Sequence, residues 1–176
     1  MVESILTFAL GIFAWTFIEY AIHAWMSHTF DTFASPLHEV HHRDPRAVFT
    51  IGAWIPIAAL YLFGIAIAGF SSAMVFFSGA VAGFVAYEAI HYRIHFRPSR
   101  NAFERHLRTR HLLHHKHNSN ASFGVTSELW DLVFGTEPLG VETRRIRERL
   151  ASTPPVAGPS NLRKIIYYSP LRMFSH

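Results

Sequence analysis

The 176-residue chain contains no cysteine, and only 16% of its residues are charged. The absence of cysteine excludes disulfide scaffolds, thiolate metal sites, iron–sulfur clusters and cysteine nucleophiles. Lysine and arginine are absent from residues 1–42 and from residues 47–92, and Glu88 is the only charged residue in the second stretch. A hydrophobic content of 50% excludes an intrinsically disordered chain. We expect no nucleic-acid partner despite the net charge of +4, because the basic residues flank apolar runs, as they do in membrane proteins.

The apolar stretches without lysine or arginine predict about three transmembrane helices. Residues 2–22 form the first, and residues 47–70 and 71–92 form the second and third, with a turn-like break between these two. Each stretch is close to the roughly 20 apolar residues that cross the hydrocarbon layer as a helix. A cleaved signal peptide is not expected, because residues 1–22 lack a positively charged start and a small-residue cleavage site.

Charge placement predicts the orientation of these helices. Three crossings would put residues 23–46 and 93–176 on one face of the membrane, and every lysine and arginine lies there. The positive-inside rule predicts that this face is cytoplasmic and that the N-terminus lies on the opposite side. We therefore expect an all-α, multi-pass integral membrane protein. Residues 1–150 would form a membrane-embedded domain with a cytoplasmic helical cap, and residues 151–176 a proline-containing linker and C-terminal tail.

Histidine is abundant, with 13 residues, and ten of them occur in four short motifs. The motifs follow the same order twice, a pair and then a triplet, on either side of the predicted membrane hairpin. Because both halves return to the same face, we expect the ten side chains to converge there. They are His23, His28, His38, His41, His42, His91, His95, His111, His114 and His115.

The spacings carry geometric information. Offsets of three and four residues put His38, His41 and His42 on one face of a helix, and the second triplet has the same spacing. His23 and His28 are five residues apart and do not align on an ideal α-helix. Either the helix is distorted there, as at a π-bulge, or the two residues serve different ions. Ten imidazoles exceed the four ligands of one structural zinc and suit two ions, and imidazole binds Fe, Zn, Cu and Ni.

Two carboxylates and three further histidines complete the candidates. Glu19 and Glu88 each precede a motif histidine by about one helical turn, at membrane depth, where a charge usually has a function. We expect each carboxylate to accept the second ring N–H of a ligand histidine, or alternatively to face the lipid headgroups at a helix end. His106, His117 and His176 lie outside the motifs; His106 and His117 either support the ligand histidines or are simply solvated.

Two other interpretations of these histidines stand beside a two-ion site. Residues His38 to His42 match H-E-x-x-H, which in zinc proteases provides two ligands and Glu39 as general base. That interpretation leaves the second triplet, which lacks the glutamate, unexplained. A non-catalytic membrane metal-binding or transport protein is the other alternative. Transporters bind near the bilayer midplane on broken helices, whereas these motifs lie at and beyond the ends of the predicted spans.

The four motifs in this order resemble those of the fatty acid hydroxylase superfamily, which includes sterol desaturases, fatty acid 2-hydroxylases and carotene hydroxylases. Residues 114–118 (HHKHN) and 123–136 (FGVTSELWDLVFGT) are similar to the segment that follows the last histidine motif in the sterol desaturase and fatty acid hydroxylase branch. The resemblance extends from about residue 10 to residue 137. It implies that all ten motif histidines are ligands of a diiron site.

The resemblance further implies an O2-dependent membrane enzyme that hydroxylates or desaturates a lipid such as a fatty acyl chain, a sterol or a carotenoid. Two iron ions would be the native cofactor, and zinc could replace them in purified protein. A separate electron donor is expected, a ferredoxin or a cytochrome with its reductase, because the chain has no cysteine and no phosphate-binding glycine motif. The lipid chain would enter from the bilayer past side chains such as Phe76, Phe77 and Phe84. The carbon attacked and the oligomeric state stay open.

Overall fold

The computed structural model describes residues 1–47, 51–68 and 71–156, except for the side chains of residues 51–57 and 68. Over these residues the chain forms helices and loops without a β-strand, as the all-α prediction requires. The helices are α1 (Val2–Ala21), α2 (Ala34–Arg43), α3 (Ile51–Ala68), α4 (Ser72–Phe96), α5 (Ala102–Lys116), α6 (Leu129–Phe134) and α7 (Val141–Ala151).

Helix α1 continues without a break into a π-helical segment, Ile22–Thr29. The hydroxyls of Ser27 and Thr29 donate to carbonyls five residues earlier, which matches the wider turn of this segment. The wider turn brings residues five apart closer to a common face. Of the two explanations for the His23–His28 spacing, the structure therefore confirms the local distortion.

Helices α1 and α4 pack side by side and run in the same direction. A Cβ atom at Gly11 would lie 2.0 Å from the carbonyl oxygen of Phe76, and one at Gly79 would lie 2.0 Å from that of Phe8. Only glycine permits such an approach, which is typical of small-residue contacts between membrane helices. Further along, Trp15 packs against α4 as well. The parallel pairing brings the C-terminal ends of both helices, and thus both histidine pairs, to the same end of the molecule.

Within the described residues, two helices are long and apolar enough to cross a membrane, Val2–Thr29 and Ser72–Phe96. They correspond to the predicted first and third spans and indicate a membrane protein. The predicted second span falls on α3, where the described side chains include a shorter apolar run, Ala58–Ile67. Most of the remaining side chains of that span lie outside the described residues, so the crossing by α3 stays a prediction.

The remaining helices gather at the end that carries the histidines. Helix α5 begins at an N-cap, because the Asn101 side chain accepts a hydrogen bond from the Glu104 N–H (2.8 Å). Helix α7 packs against α5 through Leu112, Leu113 and Leu150. The chain after α7 stays attached to α4, because the N–H of Val156 donates to a carbonyl at the end of that helix. The rest of the tail, residues 157–176, lies outside the described residues, and the boundary at residue 150 stays a prediction.

Candidate metal centre

The ten motif histidines converge into two groups of five. In each group, one ring nitrogen of every member lies within 4.8 Å of those of the other four. We call the first group, with His23, His28, His38, His42 and His114, cluster 1. The second group, cluster 2, contains His41, His91, His95, His111 and His115. The structure thus brings together every histidine that the motifs predicted, whereas His106 and His117 lie outside both clusters and His176 lies outside the described residues.

Each triplet divides between the two clusters. Cluster 1 takes His38 and His42, the i,i+4 pair of the first triplet, and one residue of the second triplet, His114. Cluster 2 mirrors this arrangement with the i,i+4 pair of the second triplet and His41 of the first. On a helix, positions i+3 and i+4 point about 100° apart, so one triplet can serve two neighbouring centres. The expectation that each triplet converges on one point is corrected accordingly.

Four ring nitrogens of cluster 1 form a closed ring. The Nε2–Nε2 distances are 3.0 Å from His23 to His38, 2.9 Å from His38 to His42, 3.0 Å from His42 to His114 and 3.1 Å from His114 to His23. A point at the centre of a square with such edges lies ~2.1 Å from each corner, the length of a metal–imidazole bond. A neutral imidazole has only one N–H, so hydrogen bonds alone cannot satisfy this ring.

Cluster 2 has the same character and is buried more deeply. The Nε2 atoms of His91, His95 and His111 form a triangle with sides of 2.9 to 3.2 Å. Both ring nitrogens of His41 and the Nε2 atom of His115 are buried without a hydrogen-bond partner among the described residues. Buried polar atoms normally have partners, so this donor set fits a bound cation.

The two clusters are direct neighbours. The rings of His42 and His115 stack across the boundary, with centroids 4.3 Å apart and planes inclined by 17°. The rings of His41 and His38 are also close, at 5.8 Å. The arrangement is therefore consistent with a dimetal site rather than with two unrelated sites.

The environment keeps the six motif histidines of α2 and α5 neutral, which is the protonation state that binds a metal. We call these six residues the cap histidines. Burial lowers the pKa of all six, and in every case except His42 the neighbouring imidazoles lower it further. The six residues are His38, His41, His42, His111, His114 and His115.

Backbone carbonyls orient two rings of cluster 1. The Nδ1 atom of His23 is bonded to the carbonyl oxygen of Phe123 (2.5 Å), and that of His114 to the carbonyl oxygen of Ala121 (2.9 Å). A carbonyl can only accept, so each Nδ1 carries the proton and each Nε2 directs its lone pair to the centre of the cluster. Sequence reasoning missed this role, because a backbone carbonyl leaves no residue-type signal.

The structure places Glu19 and Glu88 differently from the expectation that each binds a histidine ring. Glu19 accepts hydrogen bonds from the N–H groups of Val125 and Thr126 and from the Thr126 hydroxyl. It therefore holds the loop that supplies the two carbonyls, and it is bonded to no histidine ring in the described part of the chain. Glu88 is buried, and its Oε2 atom has no hydrogen-bond partner among the described residues.

A buried ion-pair network, the Arg110 network, supports the same loop. The guanidinium of Arg110 is fully buried and donates to Asp131 (2.7 Å), to Glu137 (2.8 Å) and to the carbonyl oxygen of Gly124 (2.9 Å). Asp131 also accepts the N–H groups of Phe123 and Gly124, both at 2.8 Å. Burial raises the pKa of Glu137, but hydrogen bonds and charge from its arginine neighbours outweigh this and lower it overall. The sequence offers no signal for the network, because isolated charges look like surface residues.

The glutamate of the H-E-x-x-H match does not face the clusters. Glu39 is 60% exposed and pairs with Arg43 one turn away. His38 and His42 meanwhile share cluster 1 with three other histidines. This geometry does not support a zinc protease, because the general base of such an enzyme must lie beside the metal-bound water.

A cavity of about 390 Å³ lies against both clusters. Two histidines of cluster 1 and two of cluster 2 line it, together with Glu19, Glu88 and aromatic side chains of α1 and α4. Phe84 contributes to the lining as expected. Phe76 and Phe77 do not, because they lie about two helical turns (~12 Å) further from the histidine end of α4.

Comparisons with known proteins agree with this site. The sequence pattern of the fatty acid hydroxylase family matches residues 8–136. The ceramide very long chain fatty acid hydroxylase scs7 of Schizosaccharomyces pombe is 36% identical, over 79% of this chain and 44% of that protein. The dihydroceramide fatty acyl 2-hydroxylase FAH1 of Arabidopsis thaliana is 34% identical, over 73% and 59%, and the fatty acid 2-hydroxylase of Mus musculus is 32% identical, over 73% and 38%.

A solved structure has a similar fold. It is described as full-length scs7p with only the hydroxylase domain visible, and it superposes with a TM-score of 0.66 at 31% identity. The match covers 88% of this chain and 60% of that one. The chain thus spans about half the length of the curated relatives that it matches.

Proposed function

The chain belongs to the fatty acid hydroxylase family, and from this premise we propose that it hydroxylates the fatty acyl chain of a membrane lipid. The observation that supports this most directly is the cavity against both histidine clusters. A hydroxylase needs a reactive centre beside a pocket that admits an apolar chain, and aromatic side chains of α1 and α4 line this one. The relatives are named as fatty acid, fatty acyl and ceramide hydroxylases.

We propose that the ten clustered histidines hold two ions, one in each cluster, and that the native metal is iron. When bound, a redox-active pair would supply the activation of O2 that attack on an unactivated C–H bond requires. Zinc would bind the same nitrogens in purified protein, because imidazole accepts both metals. Electrons would come from a separate ferredoxin, or from a cytochrome with its reductase.

The protein's own residues supply geometry and exclusion of water. The carbonyls of Ala121 and Phe123 fix two rings of cluster 1, and burial fixes most rings of cluster 2. The aromatic lining, which includes Trp15, Phe84 and Tyr87, would keep water from the reacting carbon and guide an acyl chain to the clusters.

We also propose the membrane topology that the sequence predicted. Helices α1 and α4 would cross the bilayer, α3 would be the third crossing, and the histidine clusters would face the cytoplasm. The support is the parallel pairing of α1 and α4, which requires a crossing between them, and the position of every lysine and arginine beyond the spans.

The test is to purify the full chain, count its metal ions, and analyse the lipids of cells that express it. The proposal expects two tightly bound ions per chain and a lipid product heavier by one oxygen atom. His106→Ala is the matched control for His111→Ala, because His106 lies on the same helix and pairs with Glu128 outside the clusters. His111→Ala should abolish the product and His106→Ala should retain it.

Other results would assign another function. A lipid lighter by two hydrogen atoms would identify a desaturase. A single exchangeable ion without any oxidised lipid would identify a membrane metal-binding or transport protein and would overturn the proposal.

A further inference from the structure

The segment from Leu129 to Val141, which contains α6, turns its apolar side chains outward. Val133 is 60% exposed and Leu139 is 80% exposed. The charged residues within this segment, Asp131 and Glu137, are buried and point inward to the Arg110 network. The outer surface of residues 129–141 therefore carries no charged side chain.

This segment lies directly against α1. The Trp130 ring packs on Phe13 and Phe17 with centroid distances of 6.0 and 4.8 Å, and its indole N–H donates to the Thr16 hydroxyl (2.9 Å). Phe134 continues the contact towards the histidine end of α1. These contacts place α6 beside the second half of a candidate membrane span.

Helix α6 sits on the outer side of the α1–α4 pair. Gly11 and Trp15 of α1 face α4, whereas Phe13 and Phe17 face Trp130. These two sets of positions are about 160° apart around the helix axis, at 100° per residue. The outward side of α6 therefore points away from the helix pair and forms part of the outer surface of the protein.

The level of α6 along α1 matches membrane depth. A span of ~30 Å that starts at Val2 ends near Ala21, so Thr16 lies roughly 8 Å inside that end. On the side of α1 that faces Trp130, the exposed apolar side chains of Leu6, Leu10 and Phe13 lead up to this level. The apolar surface of α6 is thus continuous with the lipid-facing surface of α1.

We propose that residues Leu129–Val141 are inserted among lipid acyl chains on the histidine side of the membrane, as a bilayer contact in addition to the spanning helices. The proposal rests on the membrane topology under the proposed function and extends it. Asp131 belongs to this segment and also holds the N–H groups of Phe123 and Gly124. The bilayer contact is therefore linked through one residue to the loop that orients two rings of cluster 1.

The absence of cysteine allows a direct test, because any introduced cysteine is unique in the chain. Leu132→Cys and Val133→Cys would be labelled with the environment-sensitive fluorophore NBD in the full-length protein, in phosphatidylcholine vesicles. Leu6→Cys on the exposed face of α1 is the lipid-facing control, and Arg145→Cys on the exposed face of α7 is the water-facing control. The bound metal of each variant is counted, so that only folded protein is compared.

The proposal expects a blue-shifted NBD emission at positions 132 and 133 that doxyl-labelled lipid quenches and aqueous iodide does not. Quenching by iodide, as at position 145, would overturn it. Protection from both quenchers would also overturn it and would indicate a protein cover, such as the tail 157–176 or a second copy of the chain. If doxyl lipid fails to quench even position 6, the membrane topology of the proposed function fails together with this inference.

Discussion

Cluster 1 and cluster 2 contain equal numbers of histidines, but the protein holds them in different ways. In cluster 1, two rings are hydrogen-bonded to carbonyls of the 121–123 loop, and His28, His38 and His42 are partly exposed. In cluster 2, every ring except that of His115 is buried, and the Nδ1 atoms of the other four lack a partner among the described residues. The loop therefore orients cluster 1, whereas packing between helices orients cluster 2.

Different parts of the protein therefore hold the two neighbouring clusters in place. The loop depends on Glu19 and the Arg110 network, which lie on the side of cluster 1. Cluster 2 depends on the end of α4 and on α5. These two helices are joined by a hydrogen bond that the Arg108 guanidinium donates to the carbonyl oxygen of Ile94 (2.8 Å). Variants can therefore perturb one cluster while leaving the other intact.

The largest effect is expected from removing one histidine of each cluster in turn. His114→Ala should release the ion of cluster 1 and His111→Ala that of cluster 2, so each variant should retain one ion. Hydroxylated product should fall at least about 100-fold in both, because even partners of ligands contribute 10–100-fold. Metal analysis and lipid mass spectrometry measure both effects. Retention of two ions by either variant would contradict the division into clusters.

Removing the carboxylate of Asp131 should weaken cluster 1 alone. Asp131→Ala leaves Arg110 with Glu137 as its remaining buried carboxylate and should cost about 3 kcal/mol in the free energy of unfolding. The loop carbonyls should lose their position, and the metal affinity of cluster 1 should fall roughly 10-fold or more. Metal titration and thermal unfolding measure the two effects.

Glu128→Ala is the control for Asp131→Ala. Glu128 also approaches Arg110, at 3.8 Å, but its side chain is partly exposed. Its loss should cost less than about 1 kcal/mol and leave both metal affinities unchanged. Equal losses of affinity in both clusters of Asp131→Ala would show that the loop supports the entire centre.

Acid should destabilise the metal-free protein. The six cap histidines have lowered pKa values in the folded state, so below about pH 6.5 the unfolded chain binds more protons. Stability is therefore fully present above that pH and is lost as the pH falls below it. The melting temperature should drop by at least about 5 °C between pH 7.5 and 5.5. A constant melting temperature over this interval would show that the rings are not buried as described.

A chelator should remove the ions of the two clusters at different rates. The partly exposed rings of cluster 1 give a chelator easier access than the buried rings of cluster 2, so ion release should show a fast and a slow phase. The His114→Ala variant should lose the fast phase and keep the slow one. Stopped-flow measurement with a coloured chelator follows both phases, and a single phase in the unaltered protein would contradict the difference in access.

The smallest effect is expected at Glu39. Its carboxylate is exposed and pairs with Arg43, and such surface pairs contribute up to about 1 kcal/mol. Glu39→Gln should therefore leave metal content and hydroxylated product unchanged. Loss of product without loss of metal would restore a catalytic role for the H-E-x-x-H match.

Features that depend on local sequence were predictable. The apolar runs located α1 and α4, because hydropathy acts within one segment. The partner of Glu19 was not predictable, because it is the backbone of a loop more than 100 residues away. The Arg110 network was not predictable from the sequence for the same reason, since its charges meet only after the loop folds back on α5.

The sequence by itself determined the chemistry of the site. Ten histidines in four motifs and no cysteine mean that any metal held there is bound by nitrogen rather than thiolate. Only the tertiary structure decided which histidines share a cluster. The parallel packing of α1 on α4 sets the two histidine pairs side by side, and the 100° between positions i+3 and i+4 then directs one residue of each triplet into the opposite cluster. Spacing along one helix cannot reveal that exchange, because it depends on where the other helix lies.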